Sequence, residues 1–230
     1  MYSETKIAIP IFQKKKEDVI SVAQDCIIKG ADILELRIDG MENPNPKLVR
    51  EIIEEINFPI IATNRTTREG GFFKGTDKDR IAILRECADV ADFVDVELQT
   101  NRKLIESITE TGVKTIISYH NFKQTPDLDF LIDIVNQEKE LGDIAKIAVM
   151  PNNLEDTLTV LAILSHFDDT VAISMGELGS YTRVIASKFN APFTFAVAND
   201  TTAPGQIDID TMRVLLNSDL INTDEFENNE

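Results

Sequence analysis

The chain is poor in cysteine, in histidine and in basic residues, and each shortage closes off a class of protein. Two cysteines in 230 residues, Cys26 and Cys87, do not make a disulfide scaffold, and both fall in helix-like contexts. That suits a reducing compartment. No run of eighteen apolar residues occurs, so nothing reads as a membrane-spanning helix. The start, Met1-Tyr-Ser-Glu-Thr-Lys6, lacks the basic residues and long apolar segment of a signal peptide, and a cytoplasmic location is the expectation. Lys and Arg number 23 against 40 Asp and Glu, a net charge of −17. Nucleic-acid binding, which needs clustered basic residues, is therefore not expected, nor is a membrane partner. The two histidines, His120 and His166, are far apart and no C-x-x-C occurs, so no metal site is legible. A phosphate-binding G-x-x-x-x-G-K-[ST] is missing too.

What the chain does have is alternation. Short β-branched runs (6–11, 33–38, 59–63, 93–98, 113–118, 145–149, 170–174 and 193–197) alternate with amphipathic stretches (15–29, 47–56, 77–88, 102–110, 128–140, 153–165, 180–188 and 207–216). Strict alternation predicts a parallel sheet. Eight units of about 29 residues each predict a single-domain (β/α)8 TIM barrel, an α/β fold. An open doubly wound sheet is the alternative, but no G-x-G-x-x-G follows the first run. Residues 1–218 are expected to form the barrel. Residues 219–230 hold five acids and no base and are expected to be a frayed tail.

Within the runs, charges occupy positions where a core should be. In Ile33-Leu-Glu-Leu-Arg-Ile-Asp39, the apolar Leu34, Leu36 and Ile38 share one face and Glu35, Arg37 and Asp39 the other. If the apolar face meets the helices, Glu35 and Arg37 point into the barrel. Buried charges are costly unless paired or facing a wet cavity; a structural ion pair and a polar pocket both fit. The fourth run repeats the pattern with Asp95 and Glu97. The third run leads to Arg65, the fifth to His120, and the sixth carries Lys146 on the same face as Ala148 and Met150. So many inward polar positions favour a pocket, and active sites of this fold lie at the carboxyl ends of strands.

A lysine on an interior face is either a strand-mouth residue reaching solvent or a desolvated amine able to form an imine with a ketone. Parallel neighbours lie about 4.8 Å apart, so His120 and Lys146 on consecutive strands can meet one ligand, and histidine is the usual acid–base at neutral pH. His166, beside Phe167 near a helix end, reads as structural. Glu69, in Arg65-Thr-Thr-Arg-Glu-Gly-Gly71, is placed to reach His120 and fix its tautomer, or else belongs to an exposed loop. Arg183, after Gly176-Glu-Leu-Gly179, is either a carboxylate clamp or a solvated helix residue. Thr201 to Gln206, a Gly/Pro loop over the same mouth that holds Thr202, reads as a lid or a turn.

Taken in order, Glu35-Leu-Arg37, Arg65 with Arg-Glu69-Gly-Gly71, Asp95-Val-Glu-Leu98, Ser118-Tyr-His120, Lys146-Ile-Ala-Val-Met-Pro151, Ser174-Met-Gly, Arg183 and Ala203-Pro-Gly-Gln206 resemble the type I 3-dehydroquinate dehydratases. The resemblance runs from first strand to last helix, one element per strand end. It implies dehydration of 3-dehydroquinate to 3-dehydroshikimate in aromatic amino-acid biosynthesis. It also implies roles: Lys146 forms the imine with the C3 ketone, His120 moves the C2 proton to the departing C1 hydroxyl, and Glu69 orients His120. Arg183 would clamp the substrate carboxylate, while Glu35, Arg37, Arg65, Thr202 and Gln206 hold ring hydroxyls and close the site. Further implications are a homodimer and no metal or nucleotide cofactor. Two positions depart from the family pattern: Thr202 stands for serine and Asn121 for aspartate. Because the substrate is an anion, Arg65, Arg183 and Arg37 are expected to make the mouth a local positive island on an acidic protein. A lysine-imine aldolase and a non-catalytic metabolite-binding barrel remain the competing readings.

Overall fold

The β-branched runs become strands and the amphipathic stretches become helices in a computed structural model that describes residues 5–198 and 205–218. The strands are β1 (Lys6–Ile11), β2 (Ile33–Arg37), β3 (Ile60–Thr63), β4 (Phe93–Glu97), β5 (Lys114–Asn121), β6 (Ile144–Val149), β7 (Thr170–Ser174) and β8 (Phe193–Phe195). The helices are α1 (Lys16–Ile28), α2 (Pro46–Ile56), α3 (Asp77–Glu86), α4 (Arg102–Thr109), α5 (Leu128–Leu141), α6 (Leu154–His166), the one-turn α7 (Gly176–Gly179) and α8 (Thr182–Ile185), and α9 (Ile209–Leu216). Side chains start six of them. Asn45, Thr76, Asn101, Asp127, Asn153 and Asp208 each accept a first-turn backbone N–H, an interaction worth about 1 kcal/mol per helix. No helix among the described residues is long and apolar enough to cross a membrane. The tail expected at 219–230 lies outside the described residues.

The strands are parallel and hydrogen-bonded in the order β7-β6-β5-β4-β3-β2-β1-β8. This is a nearly closed (β/α)8 barrel. Its interior is filled from all eight strands by Ala8, Ile33, Ile61, Phe93, Ile116, Ile144, Val171 and Phe193, with Ala148, Ile173, Phe195 and Met175 above them. Leu34, Leu36, Ala62, Val94, Val96 and Ile117 face the other way, under the helices. The seam between β7 and β8 is held by α8. Thr182 Oγ1 accepts from Ser174 N on β7 (3.3 Å), and Thr194 Oγ1 on β8 donates to Arg183 O (2.7 Å).

At the amino-terminal end of the barrel one device occurs three times. Asp32, Asp92 and Asp143 each precede an even-numbered strand. Each donates its backbone N–H to the carbonyl of the preceding strand's Ile7, Ile60 or Thr115. The carboxylate then accepts the N–H of that same residue, at 2.8, 2.9 and 2.8 Å. Near the start of β1, β3 and β5 one N–H is thus satisfied by an aspartate side chain and the same residue's carbonyl by that aspartate's backbone N–H, which pins adjacent strands in register.

Three expected boundaries shift. β5 continues to Asn121, so His120 lies within the strand. The helix expected at 180–188 is broken into α8 and a 3-10 turn at Ala186–Phe189, and the one-turn α7 precedes it. Gly179 packs so tightly on Ser174 that a β-carbon there would stand 2.2 Å from the Ser174 carbonyl oxygen. β8 stops at Phe195 because the chain turns away to pair Val197 with Ile207 and Ile209.

Candidate active site

Alternation along the strands turns one polar side chain after another into the barrel. Glu35, Asp95, Glu97, Ser118 and Lys146 share the inner face with the apolar residues below them, and all are buried. Lys146 opposes Ser118, and His120, two residues further along β5, opposes Ala148. His120 therefore stands one layer nearer the carboxyl-terminal mouth than Lys146.

The Lys146 ammonium group is held on three sides. Nζ donates to Asp95 Oδ2 at 2.9 Å and to Glu35 Oε1 at 3.3 Å, and it stands 4.5 Å from the centre of the Phe195 ring. Glu35 Oε1 also accepts from Thr63 Oγ1 at 3.0 Å. Asp95 receives Arg65 at 2.8 Å and Ser118 Oγ at 2.7 Å. Burial would raise the Asp95 carboxyl, but Arg65 and Lys146 outweigh it and hold the group far below the usual carboxylate range. Asp95 is held as an anion within this buried layer.

Arg65 is only 4% exposed and fully engaged. It donates to Ser118 Oγ at 2.6 Å, pairs with Asp95, and lies 3.7 Å from Glu97. Glu97 in turn accepts Thr66 N at 2.9 Å and pairs with Arg80, which reaches in from α3. Arg80 also donates to Thr100 Oγ1 at 2.6 Å. Three cations (Lys146, Arg65, Arg80) and three anions (Glu35, Asp95, Glu97) thus alternate through the buried layer, which is the arrangement that makes buried charge tolerable.

Above this layer, both the backbone N–H and Nδ1 of His120 meet one oxygen, Glu69 Oε2, at 3.0 and 2.9 Å. Glu69 is buried in the turn after β3, and Gly70 follows it in the left-handed conformation, φ +75°. Gly71 lies against the Arg65 carbonyl, where a β-carbon would come to 2.1 Å. The two glycines let this turn fold back toward β5. Burial, then the neighbouring cations Arg65 and Lys146, push the His120 imidazole well below its ordinary value, so the ring is neutral at pH 7. Burial raises the Glu69 carboxyl to about 8 against the pull of Arg65. Phe122 stacks parallel to the His120 ring, 6.4 Å between centres.

The three arginines expected to form a positive island differ in their partners. Arg37 is clamped two-pronged by Asp39, at 2.9 and 2.8 Å. Asp39 does not continue β2 but lies in a 3-10 turn, Ile38–Gly40, from which it also accepts Arg65 N and Phe72 N. Arg65 is neutralised as described. Arg183 alone of the three has no acidic partner among the described residues. It makes one long contact to Phe195 O (3.5 Å), its buried Nε has no partner among the described residues, and burial brings its guanidinium down to about 10. Gln206 is described and lies in the same carboxyl-terminal loop as Gly205, whose α-carbon packs on the Gly176 carbonyl. Thr202 lies outside the described residues. Asn121 caps the turn after β5 through Lys123 N and Gln124 N. Exposed His166 bonds back to its own helix at Ala162 O.

The sequence reading noted Asp95 and Glu97 as inward charges without roles, and it missed Arg80 and Glu138. Arg80 falls beside Ile81 and Leu84 on the buried face of α3. Glu138 sits in the apolar stripe Leu131, Ile134, Val135 of α5. A charged residue in register with a helix's apolar stripe was the available signal for both.

The model of the type I 3-dehydroquinase family matches residues 7–223. A 3-dehydroquinate dehydratase of Methanobrevibacter smithii is 64% identical over 96% of this chain and 98% of its own length. One from Methanothermobacter thermautotrophicus is 54% identical over 92% of this chain and 96% of its own. Among solved structures, a type I 3-dehydroquinate dehydratase of Clostridium difficile carrying covalently modified comenic acid superposes with a TM-score of 0.88. It is 31% identical, over 94% of this chain and 92% of that one. With an alternating-charge cluster buried inside a (β/α)8 barrel and relatives of this similarity along nearly its whole length, the chain belongs to the type I 3-dehydroquinase family, carbon–oxygen hydro-lyases of the shikimate pathway.

Proposed function

We propose that the chain dehydrates 3-dehydroquinate to 3-dehydroshikimate through an imine on Lys146, with His120 as the acid–base. The observation that supports it best is the succession of two layers: an amine between Asp95, Glu35 and Phe195, and one layer nearer the mouth, on the neighbouring strand, a neutral histidine hydrogen-bonded to a buried acid. The unprotonated amine adds to the C3 carbonyl, and loss of water leaves a protonated imine. Its positive nitrogen draws electrons from the C2–H bond. With the shared proton on Nδ1 toward Glu69, His120 Nε2 has the free lone pair and takes the C2 proton, leaving an enamine. The enamine expels the C1 hydroxyl, which leaves as water with the proton from His120. Hydrolysis of the conjugated imine releases the product and restores Lys146. Acid–base help of this kind contributes about 10²- to 10⁴-fold.

Asp95, ionised and 2.9 Å from Nζ, is the counter-ion of the iminium, and its charge costs no reorganisation when the cation forms. Arg183, a half-buried cation without an acidic partner among the described residues, supplies the carboxylate clamp. Glu35, Arg37, Thr202 and Gln206 take the ring hydroxyls, and Arg65 acts from below by holding Asp95. The working unit is a cytoplasmic homodimer that needs neither metal nor nucleotide. Two variants test the assignment. Lys146→Met is expected to abolish turnover, whereas His120→Asn should lower kcat by about 10²-fold or more while still binding substrate covalently. A Lys146→Met protein with measurable turnover would refute the imine, and loss of covalent binding in His120→Asn would refute the division of roles.

A further inference from the structure

Glu138 is a carboxyl group in the wrong place by every ordinary rule. It lies in the apolar stripe of α5 and is completely buried, whereas glutamate is almost never fully buried unless paired. No cation partners it among the described residues. Its Oε1 has no hydrogen-bond partner, and its Oε2 accepts one bond, at 3.1 Å, from the backbone N–H of Lys146. Burial drives its carboxyl well above the ordinary range. Its own carbonyl also accepts Gly142 N at 3.0 Å, the bond that ends α5. One residue thus ties the end of α5 to the peptide of Lys146, across a connection of only Gly142 and Asp143.

We infer that Glu138 is a positioning residue for Lys146: by gripping peptide 146 from outside the barrel it sets the depth at which Nζ stands between Asp95, Glu35 and Phe195. The inference rests on the reading of Lys146 as the imine-forming residue. A lysine has four rotatable bonds, so the side-chain contacts of Nζ hold its tip only if the backbone beneath is fixed. Displacement of a reacting group by about 1 Å can cost about 10²-fold in rate. Loss of this single anchor is expected to cost less, because the β6 ladder remains.

The test compares the full-length wild type with Glu138→Gln, Glu138→Asp and Glu138→Met. Steady-state kinetics on 3-dehydroquinate are measured together with the rate at which borohydride traps the substrate on Lys146, located by peptide mass spectrometry. Gln keeps a neutral acceptor of the same length, so Glu138→Gln should retain kcat and trapping rate. Met removes the acceptor and Asp withdraws it by one carbon–carbon bond. Both should lower kcat and the trapping rate together by about tenfold while KM stays within about twofold. Wild-type kinetics and trapping in Glu138→Met overturn the inference, as does a fall in Glu138→Gln equal to that in Glu138→Met. If Glu138→Met does not fold, wild-type kinetics in Glu138→Asp overturn it instead. An active wild type with no adduct on Lys146 overturns the underlying reading, an outcome separate from either of these.

Discussion

At the scale of single residues, Glu69 shows how burial decides chemistry. Its carboxyl is raised to about 8 from an ordinary 4.5. Between those values the folded protein holds a proton that the unfolded chain has lost. Stability from this group is therefore full below about pH 4.5 and drains away as pH rises toward 8. Glu69→Gln cannot lose that proton. It is expected to unfold at a higher temperature than the wild type near pH 8.5, by an amount corresponding to about 4 kcal/mol, while kcat falls by about tenfold or more because His120 loses its ionisable partner. Thermal melts and initial rates on the two proteins check both halves; a variant that loses activity and also melts lower at that pH would contradict the account. Lys146, His120 and Glu35 were legible as candidates because strand alternation assigns every side chain to a face. Glu138 and Arg80 were not, because a charged residue on a helix is read as solvated even where, as here, it falls in register with the apolar stripe of its helix. The pairing of Arg37 with Asp39 was hidden for a different reason: Asp39 was read as strand, and its side chain turns back only because the chain enters a 3-10 turn.

At the scale of elements, the three aspartates that precede β2, β4 and β6 carry much of the register. Each satisfies two backbone groups of the preceding strand at once. Asp92→Ala leaves the Ile60 N–H without its partner in a partly buried position and is expected to cost about 1–3 kcal/mol. Denaturant unfolding should show a lower midpoint with an unchanged slope, and no change in midpoint would mean that the ladder alone fixes the register. The eight strand–helix units were readable from hydrophobic pattern, to within a residue or two at most boundaries. Pattern failed where close contact overrides it. The end of β5 is an extended segment whose polar residues, His120 and Asn121, lack the apolar signature of a strand. The segment from Gly176 to Phe189 breaks into short turns because it must thread past Ser174 and stitch β7 to β8, which no local preference encodes.

At the scale of the whole molecule, charge is the governing feature. The protein carries −17 at neutral pH, its substrate is an anion, and of the three arginines expected at the mouth only Arg183 lacks an acidic partner among the described residues. Long-range repulsion is then relieved by salt, whose screening length is about 10 Å at 0.1 M. Between about 0.01 and 0.1 M salt, kcat/KM is expected to rise or hold steady; a steep fall would show that net attraction guides the substrate in. Stability responds to the same charges. Glu69 and Glu138 favour the folded state when protonated, whereas the stability contributed by Asp95 disappears only as pH falls through the ordinary carboxylate range and below. The melting temperature should accordingly be higher near pH 5.5 than near pH 8.5, and the reverse order would mean that these buried acids are ionised in the folded protein.

The central claim is the covalent role of Lys146, and one measurement reaches it directly. The protein is incubated with 3-dehydroquinate, reduced with borohydride, and analysed by intact and peptide mass spectrometry. The account predicts a single substrate-derived adduct, on the peptide containing Lys146. An enzyme that turns over the substrate but yields no adduct there would contradict it.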